Sequence, residues 1–311
     1  MKPTIYVSRC LGFDACRYNG QKLSHSFVDL LKMHVDIKTV CPEVDMGMSI
    51  PRAPIRINVN HQKKKSLMQP STNIDYTQKM SDFSDNFCAS LKNIDGFILK
   101  SRSPSCGIRN TKLYSKEDIY LGKGSGLFAQ KVLEVFPGLA IEDESRLGSQ
   151  RFRDHFLMKI YTLARFRKVK ESQSMSELMD FQKHHKLLFM AYNQSQAKVL
   201  GCILGSSPKE RSMLDLIVEY ERTLHLLFKN PARKVSHINA LMHAMGYFSK
   251  QLKTTEKAFF LDQLQLFRED LCPLRSLLNL LESWIIRFDE KYLTQQIYFN
   301  PYPKELILNK A

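Results

Sequence analysis

After Ser145 the strand signals in this chain stop, and that break limits the possible folds more than any other feature. Before it, short apolar runs alternate with stretches of helical periodicity. Ile5-Tyr6-Val7, Val35–Val40, Gly96–Lys100 and Leu139-Ala140-Ile141 read as strands. Lys22–Met33, with Phe27, Leu30 and Leu31 on one face, reads as a helix, as do Thr77–Leu91 and Leu127–Phe136. Such alternation predicts a parallel α/β sheet. Beyond the break, Phe152, Phe156, Ile160 and Leu163 recur at helical spacing. Further helices are predicted near Ser174–Asn193, Pro208–Lys229, Val235–Gln251, Thr255–Leu271 and Pro273–Tyr292, with Pro208 and Pro273 in the first turn. The expectation is an α/β parallel-sheet N-terminal domain over 1–145 and an all-α helical domain over 146–311. Residues 61–75, with Lys63-Lys64-Lys65, read as polar loop, and Gly122-Lys123-Gly124-Ser125-Gly126 reads as a glycine-rich loop before a helix.

A chain of 311 residues has room for two such domains at about 150 residues each. Its apolar fraction of 43% excludes a disordered protein. No apolar run nears the roughly 20 residues of a membrane helix, and no secretory leader pattern opens the chain, so no membrane partner and a cytoplasmic location are expected. Seven cysteines in that setting argue for thiol chemistry and against a disulfide framework. Cys88, Cys202 and Cys272 read as small buried apolar residues. The net charge of +15 is shared, with 21 lysines and arginines against 15 acids over residues 1–150 and 25 against 16 over 151–311. The stretch Arg151–Lys170 holds seven basic residues against Asp154 alone, which reads as a solvated face or as a nucleotide or RNA face.

The other four cysteines occupy loops. Cys10 follows the first strand, Cys41 the second and Cys106 the third, while Cys16 stands six residues after Cys10, just before Asn19-Gly20. Loops after parallel strands converge on one crevice, so these thiols are expected to meet. No C-x-x-C pair is present, which excludes a zinc-finger pattern. These cysteines read either as four unrelated thiols or as the ligands of a metal or iron–sulfur site, in which three thiolates would leave one iron open. Strand-end position favours Cys10, Cys41 and Cys106; Cys16 is available to replace Cys41 or to act as a fourth ligand.

Three motifs together carry a resemblance: Cys10-x5-Cys16-Arg17-Tyr18-Asn19-Gly20, Cys41-Pro42-Glu43 with Ile50-Pro51-Arg52, and Ser103-Pro104-Ser105-Cys106-Gly107. Residues 1–145 resemble the thiouracil desulfidase family. The resemblance implies a 4Fe–4S cluster on three cysteines and an enzyme that takes thiouracil, or another thiolated pyrimidine base or nucleotide, to uracil plus hydrosulfide. It implies Glu43 as acid/base and Ser103 as an active-site hydrogen-bonding residue. The chain departs from the pattern at Asn19, usually Asp, and at Phe13, usually Gly. The second half resembles the YbgA-type helical domain through His184-His185-Lys186, His237–His243 and Tyr298-Phe299-Asn300-Pro301-Tyr302-Pro303.

Other residues admit plainer readings. Arg17, Arg52 and Lys100 are placed either to offset cluster charge or to sit in solvent. Gly122–Gly126 offers backbone N–H groups to an anion at a helix start, or is only a flexible loop. His184 with His185, and His237 with His243, lack the i,i+4 spacing of a helical metal pair and read as core or surface histidines. The alternative to an enzyme is a non-catalytic iron–sulfur or metal-thiolate protein that binds nucleic acid through its basic helical half.

Overall fold

The computed structural model of the chain describes residues 2–205 and 211–308. Nine strands are named among them, β1 Thr4–Ser8, β2 Asp36–Val40, β3 Arg56–Val59, β4 Lys65–Gln69, β5 Ile74–Asp75, β6 Gly96–Leu99, β7 Thr111–Tyr114, β8 Tyr120–Gly124 and β9 Ala140–Asp143. The helices interleaved with them are α1 Ser26–Leu31, α2 Pro42–Asp45, α3 Thr77–Ser90 and α4 Leu127–Val135. After β9 come α5 Gln150–Ser172, α6 Met175–Tyr192, α7 Gln194–Gly205, α8 Met213–Leu227, α9 Lys234–Gly246, α10 Thr254–Arg268, α11 Leu274–Phe288, α12 Lys291–Thr294 and α13 Glu305–Leu308. The N-terminal region is α/β with a parallel sheet, and the C-terminal region is helical, as the pattern predicts.

The parallel sheet has the order β2-β1-β6-β9. β6 is buried at every position, as its unbroken apolar Gly-Phe-Ile-Leu run demands of a central strand covered on both faces. One face packs a core of Val40, Phe97, Leu99, Met80 and Phe128, with Cys88 and Cys106 among the buried members. Full burial of each large side chain there contributes about 1.5–3 kcal/mol. Sequence alternation therefore places β1, β2 and β6 with their carboxyl ends side by side, and those ends carry the thiol loops.

A second sheet, mixed and five-stranded, has the order β5-β4-β3-β7-β8 and was not expected. Residues 61–75 are not loop: they hold β4 and β5, in an antiparallel hairpin arrangement with β3. The strand signal is weak because Leu67 and Gln69 alone turn inward in a Lys-Ser-Leu-Met-Gln run. Gly122-Lys123-Gly124 likewise lies within β8, paired antiparallel with β7.

Packing divides the chain into one unit that runs to Ala164 and includes the segment from Pro303, and another of Arg165–Tyr302. In the second unit Phe166 stacks on Tyr220 at 5.4 Å and Tyr192 lies 4.5 Å from Phe228. His185 and His237 are buried there, and His237 Nδ1 meets the Tyr298 hydroxyl at 2.8 Å, so the His237–His243 and Tyr298–Pro303 motifs join in the core. Burial lowers the His185 imidazole to about 3 and that of His237 to about 4, so both are neutral core residues. α7 fills a stretch that the periodicity left between helices. Pro273 is the residue before α11 and not its first turn, and Pro208 lies outside the described residues.

α5 is not a solvated basic face. Arg153 and Lys159 are buried, Arg165 Nη2 donates to Pro301 O at 2.7 Å, and Lys170 pairs with Glu221 at 2.6 Å. Arg151 and Lys168 are its exposed cations. No helix among the described residues is long and apolar enough to cross a membrane.

Candidate functional site

The loops after β1, β2 and β6 open onto one cavity of about 1010 Å³, and Cys10, Cys16, Cys41, Cys106, Glu43 and Ser103 all line it. All the residues singled out from the sequence as ligands or acid/base groups thus meet at the carboxyl edge of the parallel sheet, where open α/β sheets bind ligands. Cys41 is the residue before α2, whose first turn is Pro42-Glu43. Cys10, Cys16 and Cys106 are buried and Cys41 is half-buried.

The thiols interact with one another. The Cys41 thiol donates to the Cys16 carbonyl at 3.9 Å. Hydrogen bonding with Cys10, opposed by Cys41 and helped by burial, pushes the Cys16 thiol up to about 11. Hydrogen bonding with Cys16, then burial, raises the Cys41 thiol well above the ordinary range, and burial does the same for Cys106, against the Ser8 and Ser103 hydroxyls. Cys16, Cys41 and Cys106, whose thiols are raised, are costly to ionise alone and suit a metal group that displaces their protons. Thiolate donors select zinc or iron–sulfur. Among the described residues no three His, Cys, Asp or Glu side chains are spaced for a single metal ion. Four cysteines with no histidine among the residues lining a cavity of about 1010 Å³ are a donor set that fits a thiolate-held cluster.

Glu43 is not the surface residue its position on a helix start suggests. Its side chain is 12% exposed and that of Arg52 is 4%. Arg52 Nε and Nη2 donate to Glu43 Oε2 at 2.8 and 2.6 Å, and Ser105 Oγ donates to Oε1 at 2.8 Å. Ser103 Oγ accepts the Ser105 and Cys106 backbone N–H groups at 3.2 and 3.1 Å, and its hydroxyl faces the Cys106 thiol.

Three cations named from the sequence separate here. Arg52 is inside the site and committed to Glu43. Lys100 Nζ pairs with the buried Glu144 carboxylate, which also accepts Ser101 N at 2.7 Å and Ser101 Oγ at 2.6 Å. Arg17 lies over the Tyr18 ring at 5.6 Å on the cavity rim. No sequence motif marks Ser8, whose Oγ accepts Lys100 N at 2.9 Å and faces the Cys106 thiol. Ser105 lies in the Ser-Pro-Ser-Cys motif, where its type alone does not separate it from a turn residue.

The glycine-rich stretch before α4 has another task than holding an anion. Gly126 N, Leu127 N and Ala129 N donate to the carbonyls of Gly107, Pro104 and Ser105 at 2.7, 3.1 and 3.0 Å. Those helix-start donors are consumed by the Cys106 loop. A Cβ on Gly126 would stand 2.6 Å from Pro104 O and against Ser105 O, so only glycine allows this approach. Outside the site, Cys88 and Cys272 are buried as expected, whereas Cys202 is exposed.

The 2-thiouracil desulfurase family model matches residues 5–144, and the model described as "Protein of unknown function (DUF1722)" matches residues 186–303. The uncharacterized protein YbbK of Bacillus subtilis (strain 168) is 34% identical over 112 residues, 33% of this chain and 72% of that protein. The uncharacterized protein YbgA of Escherichia coli (strain K12) is 27% identical over 166 residues, 53% of this chain and 98% of that protein. A solved structure described as the [4Fe-4S]-dependent thiouracil desulfidase TudS aligns at 25% identity over 47% of this chain and 93% of that one, with a TM-score of 0.36.

Proposed function

The chain belongs to the 2-thiouracil desulfurase family through its N-terminal region, with a DUF1722 helical region behind, and on that premise we propose that it removes sulfur from a thiolated pyrimidine base or nucleotide. The observation that carries the reading is the meeting of four thiols, a carboxylate and a serine hydroxyl in one cavity. The overall reaction is thiocarbonyl plus water to carbonyl plus hydrogen sulfide, and no electrons change hands. A 4Fe–4S cluster on three of Cys10, Cys16, Cys41 and Cys106 would supply an open iron, a soft Lewis acid for the thiocarbonyl sulfur.

The chain's own groups do the rest. Glu43 takes the proton of the water that adds to the thiocarbonyl carbon and returns it as hydrosulfide leaves. Ser103 donates its hydroxyl proton to the substrate or to that water. Arg52 and Ser105 hold the Glu43 carboxylate in one orientation, which spares the reaction that ordering step. We assign this chemistry to residues 1–145 and keep 146–311 as a separate helical domain. The +9 charge of residues 151–311 supports a substrate extended by phosphates, a nucleotide or RNA, whose binding would weaken with added salt.

Anaerobically purified protein is expected to be brown and to contain iron and acid-labile sulfide. Cys→Ser at 10, 41 or 106 lowers the iron content. Full iron retention in Cys41→Ser with loss in Cys16→Ser gives Cys16 that role, and retention in all four variants removes the cluster from the reading.

A further inference from the structure

Arg52 uses five N–H donors inside the site, as many as a guanidinium has. Nε and Nη2 reach Glu43 Oε2, Nη1 and Nη2 each reach Cys16 O at 3.1 Å, and Nη1 also reaches Ser49 O at 3.3 Å. Its backbone N–H donates to Tyr18 O at 2.8 Å, in the loop that carries Cys16. Glu43 passes the connection on through Oε1 to Ser105 Oγ.

The result is an unbroken chain: Cys16 carbonyl, Arg52 guanidinium, Glu43 carboxylate, Ser105 hydroxyl. Every link adjoins a thiol. Cys16 bears one itself, Glu43 stands two residues after Cys41, and Ser105 immediately precedes Cys106. The loops leaving β1, β2 and β6 are thus fastened together at buried positions by side chains that are not ligands. A second pair, Arg9 with Asp45 at 2.7 Å, is more exposed and joins only the first two loops.

We propose that Arg52 is a positioning residue that registers the three thiol loops and fixes the Glu43 carboxylate against them. A planar fork is needed for this. Lysine keeps the charge but offers three donors from one point, so it cannot hold Glu43 and the Cys16 carbonyl along two directions at once. The kinetic part of the inference rests on the desulfidase reading; the structural part does not.

The test uses the full chain in two arms. In reduced, cluster-free protein, alkylation of each cysteine by iodoacetamide is followed by mass spectrometry. Arg52→Lys is expected to speed Cys16 labelling at least tenfold and to leave the buried Cys88 unchanged. In loaded enzyme, Arg52→Lys is expected to lower kcat at least tenfold with KM changed less than threefold. In a Glu43→Gln background the same substitution should cost less than threefold, because Arg52 acts through Glu43. Unchanged Cys16 labelling, or equal losses in both backgrounds, overturns the proposal. If Arg52→Lys labels Cys88 as fast as Cys16, it has unfolded, and Ser105→Ala decides. Selective labelling of Cys106 then supports the strap, and unchanged labelling overturns it. If the wild type releases no sulfide while labelling behaves as stated, the desulfidase reading fails and the role of Arg52 stands.

Discussion

Replacing Glu43 by glutamine keeps its shape but removes the charge facing the Arg52 guanidinium. Breaking a buried ion pair costs about 3–5 kcal/mol. The glutamine oxygen can still accept from Arg52 while its amide N–H turns to donate to Ser105 Oγ, so a loss of about 1–3 kcal/mol is expected in urea unfolding. Sulfide release should fall about 10²-fold or more, since the group that moves the proton is gone. Turnover within twofold of wild type would remove Glu43 from the chemistry. Lys159 tests a different balance. Burial lowers its ammonium to about 8, against the partial help of Glu142. The unfolded chain holds the proton up to about 10.5. Between those values the unfolded state binds more protons, so stability rises with pH, and the cost of the buried charge is full below about 8. Lys159→Met should therefore raise the melting temperature at pH 7, with the gain shrinking toward pH 10.5. A gain independent of pH would contradict that account. The thiols, Glu43 and Ser103 are readable from the sequence because each sits in a local motif. The Arg52 strap is not, since its links span 9, 36 and 62 positions and exist only in the fold.

The start of α4 and the Cys106 loop behave as one piece, because three helix-start N–H groups cap the carbonyls of that loop. Gly126→Ala puts a methyl against Pro104 O and Ser105 O and must move one of them. The expected cost is about 1–3 kcal/mol, as for overpacking elsewhere. Iron loading should also fall, because Ser105 and Cys106 shift together. Loading equal to wild type would separate the two elements. The same stretch shows where pattern reading stops. Helical and parallel-strand periodicity located β1, β2, β6, β9 and most long helices, because those segments bury a continuous face. β4 is short and half-buried, and β5 and β8 are short, mostly exposed and lie at the edges of a sheet, so their composition is that of loops. The cations of α5 misled in another way. Charge counts say nothing about direction, and Arg153 and Lys159 point inward.

At the scale of the chain, the break after Ser145 separates a region built around a ligand edge from a helical region with its own aromatic core. The first region carries every group the proposed reaction needs, and the second adds charge without a second thiol site among the described residues. The central claim is therefore that thiols, Glu43 and Ser103 at one sheet edge exchange sulfur for oxygen on a thiolated pyrimidine. The direct measurement is product formation by anaerobically reconstituted protein supplied with 2-thiouracil or 2-thio-UMP. The account predicts one sulfide released per uracil or UMP formed, with activity lost in Cys106→Ser and Glu43→Gln. No sulfide from either substrate by protein loaded with four irons per chain would contradict it.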